Sequence, residues 1–139
     1  MNCIGTSEDE YNTVRQSNKK ATLTIQGSLP SLNQYTRACR SNKYVGAKMK
    51  KDAEQVIGLY IMQQLKTSFD GRVKLAFRWY CKDKRQDLDN ICFAKKFILD
   101  ALVANSVIVG DGWRCVTGFT DDFFVDAKNP RIEVDIYEL

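Results

Sequence analysis

Two carboxylates stand two residues apart in the run Gln86-Asp87-Leu88-Asp89-Asn90, where an extended segment gives way to a helical one. In an extended backbone, side chains at i and i+2 point to the same side, so both acids converge on one point. Like charges held that close repel unless a cation lies between them. A hard divalent ion such as Mg²⁺ takes oxygen ligands in octahedral geometry and keeps several waters, which suits the pair. Two surface acids, one of them capping the next helix, fit the same spacing. A third acid, Asp111, follows the β-branched run Val107-Ile108-Val109 and sits between Gly110 and Gly112. Glycines there let the backbone approach a ligand closely, although a plain turn acid reads the same way. Between these segments Asp89, Lys96 and Asp100 are separated by seven and eleven residues, nearly whole helical turns, and so share one side of a helix. The rest of that helix is apolar, and a charged stripe on it is costly to bury unless paired or bound to a metal. An Asp–Lys pair on an exposed stripe is the simpler alternative.

The chain contains no histidine, which removes Ser-His-Asp and Cys-His chemistry and histidine-based zinc sites. Its five cysteines, at 3, 39, 81, 92 and 115, form no CxxC pair, so reduced thiols in a cytoplasmic protein are expected. With 139 residues, of which 44% are apolar and 27% charged, the chain has enough apolar material for one core without staples. No apolar run approaches the ~18 residues of a membrane span, and the polar first residues are unlike a signal peptide.

The elements that must position the acids follow from periodicity. Residues 1–20 show none and are expected to form a flexible arm, leaving 21–139 as the folded domain. Ala21–Gln26 alternates as a strand, and 27–43 reads as a long loop. Met49, Ala53, Val56, Ile57, Tyr60, Ile61 and Leu65 mark one face of a helix over about 46–66, with Lys48, Lys50 and Lys51 at its start, where they oppose the helix dipole. Val73 to Cys81 alternates strongly as a second strand. A helix capped by Asp87 or Asp89 runs to about 104, packing Ile91, Ala94, Ile98, Ala101 and Leu102 on the sheet. Apolar almost all round, it is also the first candidate for a subunit interface. Strands follow at 114–125, with a bulge near Gly118, and at 132–136. The expectation is a single-domain α+β fold in β-α-β-α-β-β order, one mixed sheet with two main helices packed on it.

Charge adds a clue to partners. The net charge of +4 is mild, but Arg37, Arg40, Lys43, Lys48, Lys50 and Lys51 form a block with no acid among them. Such a block is a footprint for phosphates or simply a solvated face.

Together the segments resemble the RusA family of Holliday junction resolvases over roughly residues 22–139. The resemblance rests on Leu29-Pro30-Ser31-Leu32-Asn33-Gln34-Tyr35, then Asp87-Leu88-Asp89-Asn90, Asp100-Ala101-Leu102, and Asp111 after an apolar run. It implies a homodimer, bacterial or from a phage or prophage, that binds four-way DNA junctions and cuts two opposing strands symmetrically. It further implies Mg²⁺ or Mn²⁺ on Asp87, Asp89 and Asp111, with a lysine nearby. The family's lysine lies four residues after the second aspartate, where this chain has Phe93. Counting back from Asp100 puts Lys96 in its place, as if three residues were inserted, and the helical stripe favours Lys96 over Lys95. The later acidic site often reads Asp-Asp in the family but is Gly110-Asp111 here. On this reading Arg37, Arg40, Lys43, Lys48 and Arg85 hold junction phosphates, Asn33 and Tyr35 contact DNA near the crossover, and no membrane or organic cofactor is involved. The alternative is a branched-DNA-binding protein of the same fold without turnover, and a third reading, an interaction protein, leaves the basic block idle.

Overall fold

A computed structural model describes residues 19–139, so the expected arm over 1–20 and Cys3 lie almost wholly outside the described residues. The element order is β1 (Lys20–Gln26), α1 (Leu32–Ser41), α2 (Lys43–Gln64), β2 (Val73–Cys81), α3 (Leu88–Cys92), α4 (Lys95–Ala104), β3 (Val116–Val125) and β4 (Arg131–Glu138). The four strands form one mixed sheet in the order β1-β4-β2-β3. β4 is antiparallel to both β1 and β2, whereas β2 and β3 are parallel. A parallel pair cannot be joined by a tight turn, so α3 and α4 carry the chain back along the sheet before β3 begins.

Alternation decides which face is covered. Val73, Leu75, Phe77 and Trp79 of β2 are buried beneath the helices with Ile132, Val134 and Ile136 of β4 and Leu23 and Ile25 of β1. Ile57 and Ile61 of α2 and Phe97, Ile98 and Leu102 of α4 close this core. The opposite sheet face carries charge. Arg78 donates to Glu133 at 2.9 Å and to Asp135 at 2.6 Å, Thr22 Oγ1 donates to Asp135 at 2.6 Å, and the Arg131 guanidinium lies 3.8 Å from the Tyr80 ring centre. Burial alone would raise Asp135, but the bonds from Arg78 and Thr22 prevail and hold its carboxyl below the ordinary range.

Several expectations need correction. The expected loop over 27–43 contains α1, started by a capping box: Ser31 Oγ accepts the Gln34 N–H and Gln34 Oε1 accepts the Ser31 N–H. Only Ala38 of α1 is buried, so no apolar period announces this helix. A Cβ at Gly46 would stand 2.5 Å from Cys39 Sγ and 3.1 Å from its Cα, so α1 and α2 close on each other only with glycine there. α2 begins at Lys43, not 46, which moves Lys48 and Lys50 past the first turn and onto Asp52 and Glu54 as i,i+4 pairs. Val56 is 46% exposed rather than buried. The expected helix from Asp87 to 104 breaks at Phe93–Ala94, where bonds of the i→i−3 type tighten the chain. The β3 bulge does fall near Gly118 as expected, at Thr117, since Val73 pairs with Val116 and Lys74 with Gly118. The apolar side chains Phe97, Ile98, Leu99, Ala101 and Leu102 of α4 are buried within this one chain.

Candidate active site

Asp87 occupies the N-cap of α3 with φ −71° and ψ 155°, yet its side chain makes no capping bond. Its backbone carbonyl accepts from Asn90 and Ile91 instead. An N-cap carboxylate usually contributes about 1 kcal/mol by bonding the first-turn N–H groups, and here that interaction is not made. Asp89 lies in the first turn of α3, and both acids are exposed. Neither has an ion pair among the described residues, while Asp52, Asp100, Asp111, Asp121 and Asp135 all do. The strand geometry expected to aim the pair holds only at Asp87, because helical residues two apart differ by about 200° around the axis.

Asn90, the next residue, is 8% exposed, and its Oδ1 accepts the Asn33 N–H at 2.8 Å. That N–H belongs to the first turn of α1 and has no partner within its own helix. Asn90 therefore caps α1 from a distance and docks the start of α1 against the acidic segment. Tyr35, two residues further on, packs its ring 5.5 Å from both Phe93 and Phe97 and is half-buried. Asn33 is exposed.

Asp111 is held by Lys96, whose Nζ lies 3.6 Å from Asp111 Oδ2 and 3.1 Å from Asp100 Oδ1. Asp100 is shared with Lys50 of α2 at 3.3 Å. The chain Asp111–Lys96–Asp100–Lys50 therefore ties the 109–114 segment to α4 and α4 to α2. The hydrogen bond to Asp100, with Asp111 adding, raises Lys96 above its ordinary value, so it stays a cation at neutral pH. Lys95 does different work. It projects to the apolar side, 2.6 Å from Asp121 and 4.8 Å and 5.2 Å from the ring centres of Phe119 and Phe77, while Trp79 Nε1 donates to Asp121 at 2.9 Å. Burial pushes the Cys81 and Cys92 thiols up, which keeps them protonated and poor nucleophiles.

Among the described residues, no three His, Cys, Asp or Glu side chains lie close enough to hold one metal ion. Asp87, Asp89 and Asp111 are thus not gathered at one point in the single chain. Asp111 is paired with Lys96 instead.

A family model described as endodeoxyribonuclease RusA matches residues 27–137. The chain belongs to the RusA endodeoxyribonuclease family. No curated protein matches it. The break at Phe93–Ala94 falls between Asp89 and Lys96. The basic residues on α1 and α2 are accessible: Arg37, Arg40, Lys43 and Lys51 are exposed and have no ion pair among the described residues. Lys48 is exposed but paired with Asp52 at 2.7 Å, and Arg85 contacts Asp83 at 3.6 Å with its side chain 87% exposed. No helix among the described residues is long and apolar enough to cross a membrane. Sequence reasoning missed the roles of Asn90, Lys50 and the Lys95–Asp121–Trp79 group. The signature Ser31-x-x-Gln34, a capping box, is the local signal that could have found α1, but nothing local announces a partner fifty-seven residues away.

Proposed function

We propose that this chain is a Mg²⁺-dependent endodeoxyribonuclease that resolves four-way DNA junctions by paired, symmetric phosphodiester hydrolysis, acting as a cytoplasmic homodimer in recombination and repair. The observation that carries the reading is the carboxylate pair Asp87 and Asp89 at a helix start, where Asp87 makes no capping bond and neither acid has an ion pair among the described residues. Mg²⁺ is commonly held by one or two carboxylates plus substrate phosphates, so this pair fits it without a full protein cage. Asp87 and Asp89 would hold the ion, and Asp111 would join them by exchanging its contact with Lys96. When bound, the ion supplies a water of lowered pKa and offsets charge on the phosphate. Lys96, kept cationic by Asp100, offsets charge developing on the cleaved phosphate. Arg37, Arg40, Lys43, Lys48 and Arg85 bind backbone phosphates, giving affinity without sequence readout, and Asn33 contacts DNA beside the acids. Tyr35 serves this surface through the packing of α1. Residues 21–139 form the endonuclease unit. Symmetric cuts call for two copies related by a two-fold axis.

The test is cleavage of a synthetic four-way junction with and without Mg²⁺. Asp89→Asn should abolish cutting and leave junction binding intact; if it cuts like the parent, the mechanism is wrong. A second reading, a branched-DNA-binding protein without turnover, draws on the absence of a gathered three-acid set among the described residues. Junction binding with no cutting in any divalent metal would favour it.

A further inference from the structure

Trp113 is 94% exposed, more than any other large apolar side chain among the described residues. It lies two residues from Asp111 and beside the exposed Arg114, and Val109, four residues earlier, is 66% exposed. The loop beneath it is anchored on both sides. Asp111 meets Lys96, the Gly112 carbonyl accepts the N–H groups of Cys115 at 3.0 Å and Val116 at 2.9 Å, and the Cys115 carbonyl accepts the Val73 N–H at 2.8 Å. A hydrogen-bonded turn thus holds a flat aromatic ring out in water, next to a candidate catalytic acid and a guanidinium.

We infer that Trp113 stacks on an unpaired or unstacked nucleobase at the branch of the DNA. The inference rests on the DNA-cleaving reading above and adds to it a residue that selects the substrate. An indole has only two rotatable side-chain bonds, so little entropy is lost when it docks. A π-face suits any base, and the neighbouring Arg114 suits the adjoining phosphate. Within an intact duplex each base is already covered by its neighbours. Only a branch, nick or flap exposes a base face, so Trp113 discriminates where phosphate contacts do not.

The chain has two tryptophans, and the other, Trp79, is 1% exposed. Emission quenched by acrylamide is therefore that of Trp113. In EDTA, which prevents cutting, saturating four-way junction should shield this emission, and linear duplex at equal occupancy should leave it open. Trp113→Ala should weaken junction binding about 5- to 150-fold, the range that base–aromatic stacking supplies, with duplex affinity and melting temperature unchanged. Trp113→Phe should recover part of the loss. Junction bound with Trp113 still quenchable, or Trp113→Ala binding like the parent, overturns the inference and leaves the nuclease reading standing. Concentration-dependent shielding without DNA overturns it in favour of a contact between two copies of the chain. Failure of the parent to bind any DNA sinks both.

Discussion

Two adjacent lysines should respond to the same substitution in opposite ways. Lys96→Met removes an ion pair whose side chains are 57% and 40% exposed at 3.6 Å, and another to Asp100, which keeps Lys50 at 3.3 Å. Exposed pairs of this kind contribute at most about 1 kcal/mol, so the fold should barely notice. Cleavage should fall roughly 10²- to 10³-fold, as it does when one positioned electrostatic partner of a transition state is lost. Lys95→Met has the reverse profile. Its pair with Asp121 is 2.6 Å long with side chains 17% and 22% exposed, and the ammonium faces two aromatic rings. Methionine keeps the apolar stem but leaves Asp121 with Trp79 alone. Breaking a fully buried pair costs about 3–5 kcal/mol, and the residual exposure here brings that to about 2–3. For a domain of this size the melting temperature should drop by roughly 10 °C while the folded fraction still cuts. Thermal melts beside single-turnover cleavage of a four-way junction at saturating protein separate the two. If Lys96→Met melts as low as Lys95→Met, or if Lys95→Met loses more in cleavage than Lys96→Met, the assignment of roles is refuted.

Asn90→Ala leaves the Asn33 N–H without its partner and should cost about 1–2 kcal/mol in urea unfolding, with Asn90→Asp recovering part of it; an unchanged midpoint would mean that α1 is held by other contacts. Asp135 has a folded pKa below its unfolded value of about 3.9. Its stabilisation is complete above that value and disappears as pH falls through the folded pKa. Asp135→Asn should therefore cost about 2–3 kcal/mol at pH 7 and flatten the acid limb of the stability profile below pH ~4, and a mutant that keeps the parent's steep limb argues against it. Arg37→Ala with Arg40→Ala should weaken binding to junction and duplex alike and reduce the log–log salt slope by up to about 2, as for two lost phosphate contacts; an unchanged slope would take α1 out of the DNA surface.

Much of the framework was legible before folding. β2 could be read because Val73, Leu75, Phe77 and Trp79 bury one face, and a period of two survives any tertiary context. The core of α2 could be read from Ala53, Ile57 and Ile61 for the same reason at a period of 3.6. The acids announced themselves by motif, and so did their order along the chain. α1 was hidden because it is held at its ends, by a capping box and by Asn90, and buries one residue of its own. The single helix expected after Asp87 required a uniform period, and the tight turn at Phe93–Ala94 broke it.

Residue types, spacings and alternation belong to the local chain, so the sequence alone determined the strands, the main helices and which side chains were chemically able to bind a metal or a phosphate. Which lysine met Asp111, which acid was tied up by a cation and which stayed free depended on side chains brought together from distant segments. Ion pairs and caps of that kind form at distances of about 3 Å, and only packing of α4 against α2 and the sheet sets positions that finely. Lys95 and Lys96 are alike as residues, and one step of helical rotation sends one onto buried aromatic rings and the other toward the acids.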